Sequence, residues 1–395
     1  MGTTVRQIRR CVQKTAKISA LATEEAKLAR DCVVGISKTG SCKVSDIART
    51  LPGLKPLRET TRPLYEGLAD ERSGLDRLRH GWLRLVAPTA DKMPFIAVDP
   101  SDITKVHGRC FDYLDYVRDA SDKEKRKEPG FPSIQIEATD NGHTNLPLWQ
   151  DVFSTVHPQY RGWYDAIGWA MLYVLAHTGK SATWLFDRGF DAKDFYTILR
   201  GLGITWVVRQ LQTRKVLFGD GRSAIMRDLA AGIDRPHRTA LPYVDKKTHE
   251  LARAWPVRFG YAPVRLPDLP GRHWMIAVTG LRDEDLVLLT NKDIRSARQA
   301  AAIVAAYMRR WGIEEGIRCW KQKTGVEDFR VRNWCSIRRL TFFSMLAYGI
   351  QALWLLTRPA TARRLIARVK VFIERVMFRH YRLWDGVRDA LLEGA

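Results

Sequence analysis

The sequence has no Cys-x-x-Cys pair, and its six cysteines find no partners at zinc-finger spacing among its nine histidines. That excludes the common structural zinc motifs, and Cys11, Cys32, Cys42, Cys110, Cys319 and Cys335 read as reduced thiols. An apolar leader is missing too: the first residues are polar and basic, so a cytoplasmic location is expected. Long apolar runs are scarce. Residues 341–356 come nearest to a membrane span, but they include Ser344 and Gln351 and are hemmed by Arg338, Arg339 and Arg358. They also fall short of the roughly 20 apolar residues a span requires. A buried core helix is expected there, and no membrane partner. Neither an internal repeat nor a low-complexity tract is present.

Acid is also in short supply. Against 65 Lys and Arg stand 43 Asp and Glu, a formal charge of +22 with a pI near 10. A compact protein that positive repels itself unless it meets a polyanion, which points to nucleic acid. A membrane-surface binder would gather its charge in one basic amphipathic segment. Here the basic residues run from Arg6 to Arg388.

What is present suggests several modules in a chain of 395 residues. Residues 1–90 read as a helical, strand-poor DNA-binding region. Within it 16–34 has helix-forming composition, and two short helices about Pro52-Gly53 fit a helix-turn-helix-like element or a plain helical bundle equally well. At Met93 the pattern changes. Residues 94–98 form a buried strand ending on Asp99, with further strands at 132–138 and 146–149. A helix at 163–178, a strand at 183–186 ending on Asp187, a helix at 194–202 and a strand at 204–209 complete residues 91–210. That order predicts an α/β fold with a mixed sheet flanked by helices. Residues 211–295 shift to short alternating strands and read as a β-rich insertion. Helical character resumes at Ser296 and runs to about Lys323, with a further helix at 330–356, so that 296–358 is a second part of the core. A basic helical C-terminal region, 359–395, follows.

The chemistry gathers on one helical stripe. Tyr307, Arg310, Glu314 and Lys321 lie at offsets that bring all four within roughly 60° of one another on a helix. Alone, such a stripe is as a rule a solvated, ion-paired face. Two carboxylates elsewhere change its meaning. Asp99 and Asp187 each close a buried strand, and sites in open α/β sheets lie beyond the carboxyl ends of strands. If the two strands are neighbours, a helix returning across that edge adds Glu314 and makes a three-carboxylate cluster. Three carboxylates cannot share a small site without a cation. Oxygen ligands favour Mg²⁺ or Mn²⁺, and two such ions about 4 Å apart would serve phosphoryl transfer. Arg310 and Lys321 would then bind phosphate rather than pair with Glu314. Glu315 points about 100° away and reads as a surface residue. Asp102 is an alternative ligand.

These residues resemble a known family. The signature Y-x2-R-x3-E-x6-K of the IS4-superfamily DDE transposases is intact as Tyr307, Arg310, Glu314 and Lys321. Asp187-Arg188-Gly189-Phe190 looks like the family's second-Asp motif, and Asp99-Pro100-Ser101-Asp102 like a looser version of its first. The resemblance covers about residues 95–356. It implies an RNase H-like catalytic core, with Asp99, Asp187 and Glu314 as catalytic metal ligands for two Mg²⁺ or Mn²⁺ ions. Tyr307, Arg310 and Lys321 would contact DNA. It also accounts for the distance from Asp187 to Glu314, because the family carries a β-rich insertion there. One departure stands out: hairpin-forming members open a strand with Trp, and here that position is Leu286, with Trp274 on the preceding strand as a substitute.

The resulting expectation is a bacterial-type cut-and-paste transposase, cytoplasmic and nucleoid-associated. Its partners would be transposon-end DNA, target DNA and a second copy of the chain in the synaptic complex. The alternatives are a metal-dependent nuclease of the same fold and a non-catalytic DNA-binding regulator.

Overall fold

The computed structural model describes residues 3–53, 55–72, 74–118, 126–140, 145–217, 221–244, 251–266, 269–281 and 285–358. The expected basic C-terminal region, 359–395, lies outside them. Five helices come first: α1 (Thr3–Ile18), α2 (Thr23–Thr39), α3 (Val44–Arg49), α4 (Leu57–Ala69) and α5 (Leu75–Ala90). The helical composition of 16–34 is split between α1 and α2. Ala20 adopts a left-handed φ of 49°, and the Leu21 N–H turns back to the Ala16 carbonyl. The Glu25 carboxylate then accepts the Ala22 N–H at 3.0 Å and starts α2.

The sheet follows. Its first strands are β1 (Phe95–Thr104), β2 (Asp115–Arg118), β3 (Lys127–Thr139) and β4 (Leu146–Val152). Helix α6 (Trp163–Thr178), β5 (Thr183–Phe186), α7 (Lys193–Leu202) and β6 (Thr205–Arg209) come next. β3 is antiparallel to both β1 and β4, β5 is parallel to β1, and β6 is parallel to β5. The order β4-β3-β1-β5-β6 is the RNase H-like arrangement expected of the core. β2, only four residues long, was not anticipated; it shares the outer edge of β3 with β4.

Residues 211–295 continue this sheet. They contain β7 (Lys215–Leu217), β8 (Ser223–Ile225), α8 (Met226–Ala231), β9 (His237–Val244), β10 (Leu251–Leu266), β11 (Leu269–Thr279) and β12 (Leu286–Thr290). β12 pairs antiparallel with β6, so the β-rich stretch is joined edge to edge in a sheet of twelve strands. Three helices close the described chain: α9 (Ala297–Arg309), α10 (Trp311–Thr324) and α11 (Trp334–Thr357).

Two cores cover the two faces, and strand alternation sorts the residues between them. Ile96, Val98, Trp184, Phe186, Trp206 and Val208 face the larger core, shared with α1–α7 and α11. Ala97, Leu185, Val207 and Leu288 face the smaller one, closed by Ile303, Val304 and Tyr307 of α9 and Ile313 and Ile317 of α10. α11 is long and apolar enough to span a membrane, and it is packed in the larger core with Leu340, Phe342, Met345 and Leu346 buried. It starts at Trp334 rather than near Arg330, because the Asn333 side chain caps it by accepting the Ser336 N–H at 3.2 Å. One buried polar link ties helices to sheet: Asp151 on β4 takes Arg79 of α5 at 2.8 Å and Arg338 of α11 at 2.5 Å.

Candidate active site

β1 and β5 run side by side, and their last parallel pair is Val98 with Phe186. The next residue on each chain is an aspartate, so Asp99 and Asp187 meet at one edge of the sheet. Parity fixes their face: Asp99 lies two residues beyond Ala97 and Asp187 two beyond Leu185, both on the side covered by α9 and α10. Asp99 does not end its strand, as the sequence suggested. β1 continues to Thr104 against β3, where Asp99 faces Gln135. The apolar run stops there because β1 leaves its parallel neighbour, not because the strand turns. Asp187 does end β5. Its carboxylate accepts the Gly189 N–H at 2.9 Å and caps a single 3-10 turn, residues 188–190, with Phe190 buried beneath it.

The helical stripe is carried by two helices rather than one. α9 ends at Arg309 and α10 begins at Trp311, with Arg310 at the junction. Tyr307 is on the last turn of α9, Glu314 on the first turn of α10 and Lys321 on its last. Arg310 is the hub: one terminal nitrogen reaches Glu314 Oε1 at 2.6 Å and the other Asp99 Oδ1 at 3.3 Å. This corrects the expectation that the basic residues leave Glu314 alone. Lys321 is also committed. Its ammonium donates to the Asp102 carbonyl at the end of β1 and pairs with Glu327 at 3.1 Å. The Tyr307 ring lies 5.8 Å from the Arg310 guanidinium, and its buried hydroxyl makes no well-formed hydrogen bond among the described residues. Glu315 is exposed and pairs with Arg318 at 3.1 Å.

Electrostatics single out Asp99. Burial pushes its carboxyl up to about 7, and the charges of Asp187 and Glu314 push the same way against the pull of Arg310. Among the described residues no three His, Cys, Asp or Glu side chains are close enough to hold one ion. The donor chemistry nevertheless fits a hard divalent cation. Three oxygen donors share one edge, and between two of them stands a guanidinium in the place of a cation.

Sequence reasoning missed Glu137 on β3. It faces Ala97 across the strand pair and is fully buried on the α10 side of the sheet. The run Ser133-Ile134-Gln135-Ile136-Glu137 alternates as a half-exposed strand would, so nothing in it signals burial of its polar side. Arg209 was also missed. It lies two residues beyond Val207 on the same face, and its charge is felt at the Tyr307 phenol.

The position of the hairpin tryptophan is settled in one respect. Leu286 opens β12 beyond Arg209, at the carboxyl edge, and is buried. Trp274 lies opposite Thr290, four residues along β12 and so about 13 Å away. Its indole N–H donates to Asp293 at 3.1 Å, and Arg272 stacks on its ring. It stands at the wrong end of the strand to take the place of Leu286.

Comparisons with known proteins bear on the whole site. No curated protein sequence matches the chain. Among solved structures, a piggyBac transposase synaptic complex with hairpin DNA aligns with a TM-score of 0.46 and 10% identity, over 98% of this chain and 77% of that one. Residues 90–350, which hold Asp99, Asp187, Tyr307, Arg310, Glu314 and Lys321, match the sequence profile of the transposase DDE domain. On that match the chain belongs to the DDE-domain transposase family.

Proposed function

We propose that this chain cuts DNA at transposon ends and joins the freed 3′-hydroxyl to target DNA, using two Mg²⁺ or Mn²⁺ ions held by Asp99, Asp187 and Glu314. The observation that carries this reading is the Arg310 bridge between Asp99 and Glu314, on the face and edge where Asp187 also stands. It marks the place where carboxylates from β1 and α10 converge and where positive charge is needed.

Bound ions would stabilise charge on the attacking and leaving oxygens of the phosphodiester. In the first reaction a water oxygen attacks phosphorus, its proton goes to solvent, and the bond to the 3′-oxygen breaks. In the second, that 3′-hydroxyl gives up its proton and attacks a target phosphorus, whose own 3′-oxygen leaves. Arg310 would exchange Asp99 and Glu314 for phosphate oxygens, which its planar fork suits equally well. The Tyr307 hydroxyl, buried beside Arg310, would donate to the same phosphate. Lys321 would hold the end of β1 through the Asp102 carbonyl and reach DNA only by leaving Glu327.

End recognition falls to the N-terminal helices. The α3–α4 pair has helical form, but on α4 the cations Arg58 and Arg62 are matched by Glu59 and Glu66. α1 carries Arg6, Arg10, Lys14 and Lys17 along one exposed stripe and contains no acid, which suits it better to a phosphate backbone. Pairing two ends would require a second copy of the chain, working in the cytoplasm on nucleoid DNA.

The test is strand transfer of a pre-cleaved end with Mg²⁺, comparing the wild type with Glu314→Gln. The expected result is joining by the wild type alone with DNA binding unchanged. Cleavage of an intact end without joining of the pre-cleaved one would instead indicate a nuclease, DNA binding with no joining by either protein a non-catalytic binder, and full joining by Glu314→Gln a wrong ligand assignment.

A further inference from the structure

β3 turns a polar face toward α10 and buries it. Gln135 and Glu137 lie on that face, and Gln150 of β4 stands directly opposite Gln135. All three are at most 1% exposed. The Gln135 amide donates to Glu137 Oε1 at 2.8 Å, and the Asn145 side chain lies beside the carboxyl group. Among the described residues, Glu137 Oε2, Gln135 Oε1 and both amide atoms of Gln150 find no partner. Unpaired buried polar atoms are costly and rare, and an apolar set of the same size would stabilise the fold better.

The roof of this polar chamber is glycine. α10 lays Gly312 and Gly316 over it, one helical turn apart and flanking Glu314. A Cβ at Gly316 would stand 2.5 Å from Glu137 Oε2, and one at Gly312 would stand 3.0 Å from the Asn145 amide nitrogen. Glycine weakens a helix interior, so two at this spacing serve a close approach. The floor belongs to the site as well. Glu137 is paired across the strands with Ala97, two residues before Asp99. Burial pushes the Glu137 carboxyl up to about 8, so near neutral pH it is the protonated acid, able to donate as well as accept.

We propose that Glu137 is a positioning residue: its carboxyl group, seated by Gln135 and Asn145 beneath Gly312 and Gly316, sets how deeply α10 lies on the sheet and hence where Glu314 meets Asp99. The proposal rests on the reading of Asp99 and Glu314 as metal ligands. A glutamine keeps the shape and the hydrogen-bonding capacity of the acid, whereas an alanine leaves the helix without its stop. Adding a methyl at position 316 lifts the helix, and removing the carboxyl beneath it makes room for that methyl.

The experiment measures single-turnover strand transfer, DNA affinity and Mn²⁺ affinity of the full chain on a pre-cleaved end. The variants are Glu137→Gln, Glu137→Ala, Gly316→Ala, the double variant Glu137→Ala/Gly316→Ala, and Glu314→Gln, each checked for folding by thermal melting. Glu137→Gln should stay close to wild type. Glu137→Ala and Gly316→Ala should lose about tenfold or more in rate and weaken Mn²⁺ binding, with DNA affinity unchanged. The double variant should be faster than Gly316→Ala alone. A wild-type rate and Mn²⁺ affinity in Glu137→Ala overturns the proposal. If that variant does not fold, a Glu137→Gln protein as impaired as Gly316→Ala overturns it instead. Glu314→Gln separates the two levels: full activity there removes the ligand reading itself, whereas an inactive Glu314→Gln beside a normal Glu137→Ala removes only the role of Glu137.

Discussion

Arg310, at the break between α9 and α10, is joined to Glu314 at 2.6 Å, and the same guanidinium reaches Asp99 at 3.3 Å. One cation thus neutralises two carboxylates that the account assigns to metal. Replacing Arg310 with glutamine should strengthen Mn²⁺ binding to the DNA-free protein, because the competing cation is gone. The same change should slow strand transfer by about 10-fold to 100-fold, because phosphate loses a bidentate donor. Calorimetric Mn²⁺ titration beside a strand-transfer assay checks both directions. If Arg310 were only a phosphate clamp, the Mn²⁺ affinity would not change.

Asp99 gives the metal-free protein a pH signature. Its folded value is near 7 against the ordinary 3.8, so between roughly pH 4 and 7 the folded state holds a proton that the unfolded state has released. The contribution of Asp99 to stability therefore falls as pH rises through that window, by on the order of 4 kcal/mol, and no further above it. Asp99→Asn removes this slope. Chemical denaturation of both proteins in chelator at several pH values measures it, and identical slopes would contradict the burial of a strained carboxylate.

Much of this architecture was legible in the chain. The apolar runs before Asp99 and Asp187 gave the two strands, and the strand-helix-strand alternation through Arg209 gave the parallel part of the core. The break at Arg310 was not legible, because Tyr307 to Lys321 keeps helical spacing straight through it. Nor was the reach of Arg310 to Asp99, since a partner 211 residues away in the chain depends on how the helix docks on the sheet, which local sequence does not encode. Glu137 was hidden by the opposite effect. Its strand has the alternation of a solvent-facing surface, and only the return of α10 buries it.

The Asp151 link between β4, α5 and α11 should matter to folding rather than chemistry. Arg79 is nearly fully buried there, stacked on Trp149 and ion-paired with Asp151 at 2.8 Å. Asp151→Ala would leave buried Arg79 with only the exposed Asp76 as its acid, and the partly exposed Arg338 with none, and should cost about 3 kcal/mol. A thermal melt showing a large drop, with residual strand transfer per folded molecule intact, is the expected result.

The basic stripe on α1 should act through salt. Replacing Arg10 and Lys14 with alanine should weaken binding to any duplex and reduce the slope of log affinity against log salt by about 2. Filter binding on transposon-end and unrelated DNA over a salt series reads this directly. An unchanged slope would move DNA binding off α1.

The central claim is that Asp99, Asp187 and Glu314 hold metal together. Counting Mn²⁺ ions bound to the protein–DNA complex by electron paramagnetic resonance tests it most directly, for the wild type and for Asp99→Asn, Asp187→Asn and Glu314→Gln. The account predicts two bound ions in the wild type and fewer, or far weaker, ions in each variant, with DNA still bound. Two ions retained at wild-type affinity in any of the three would contradict it.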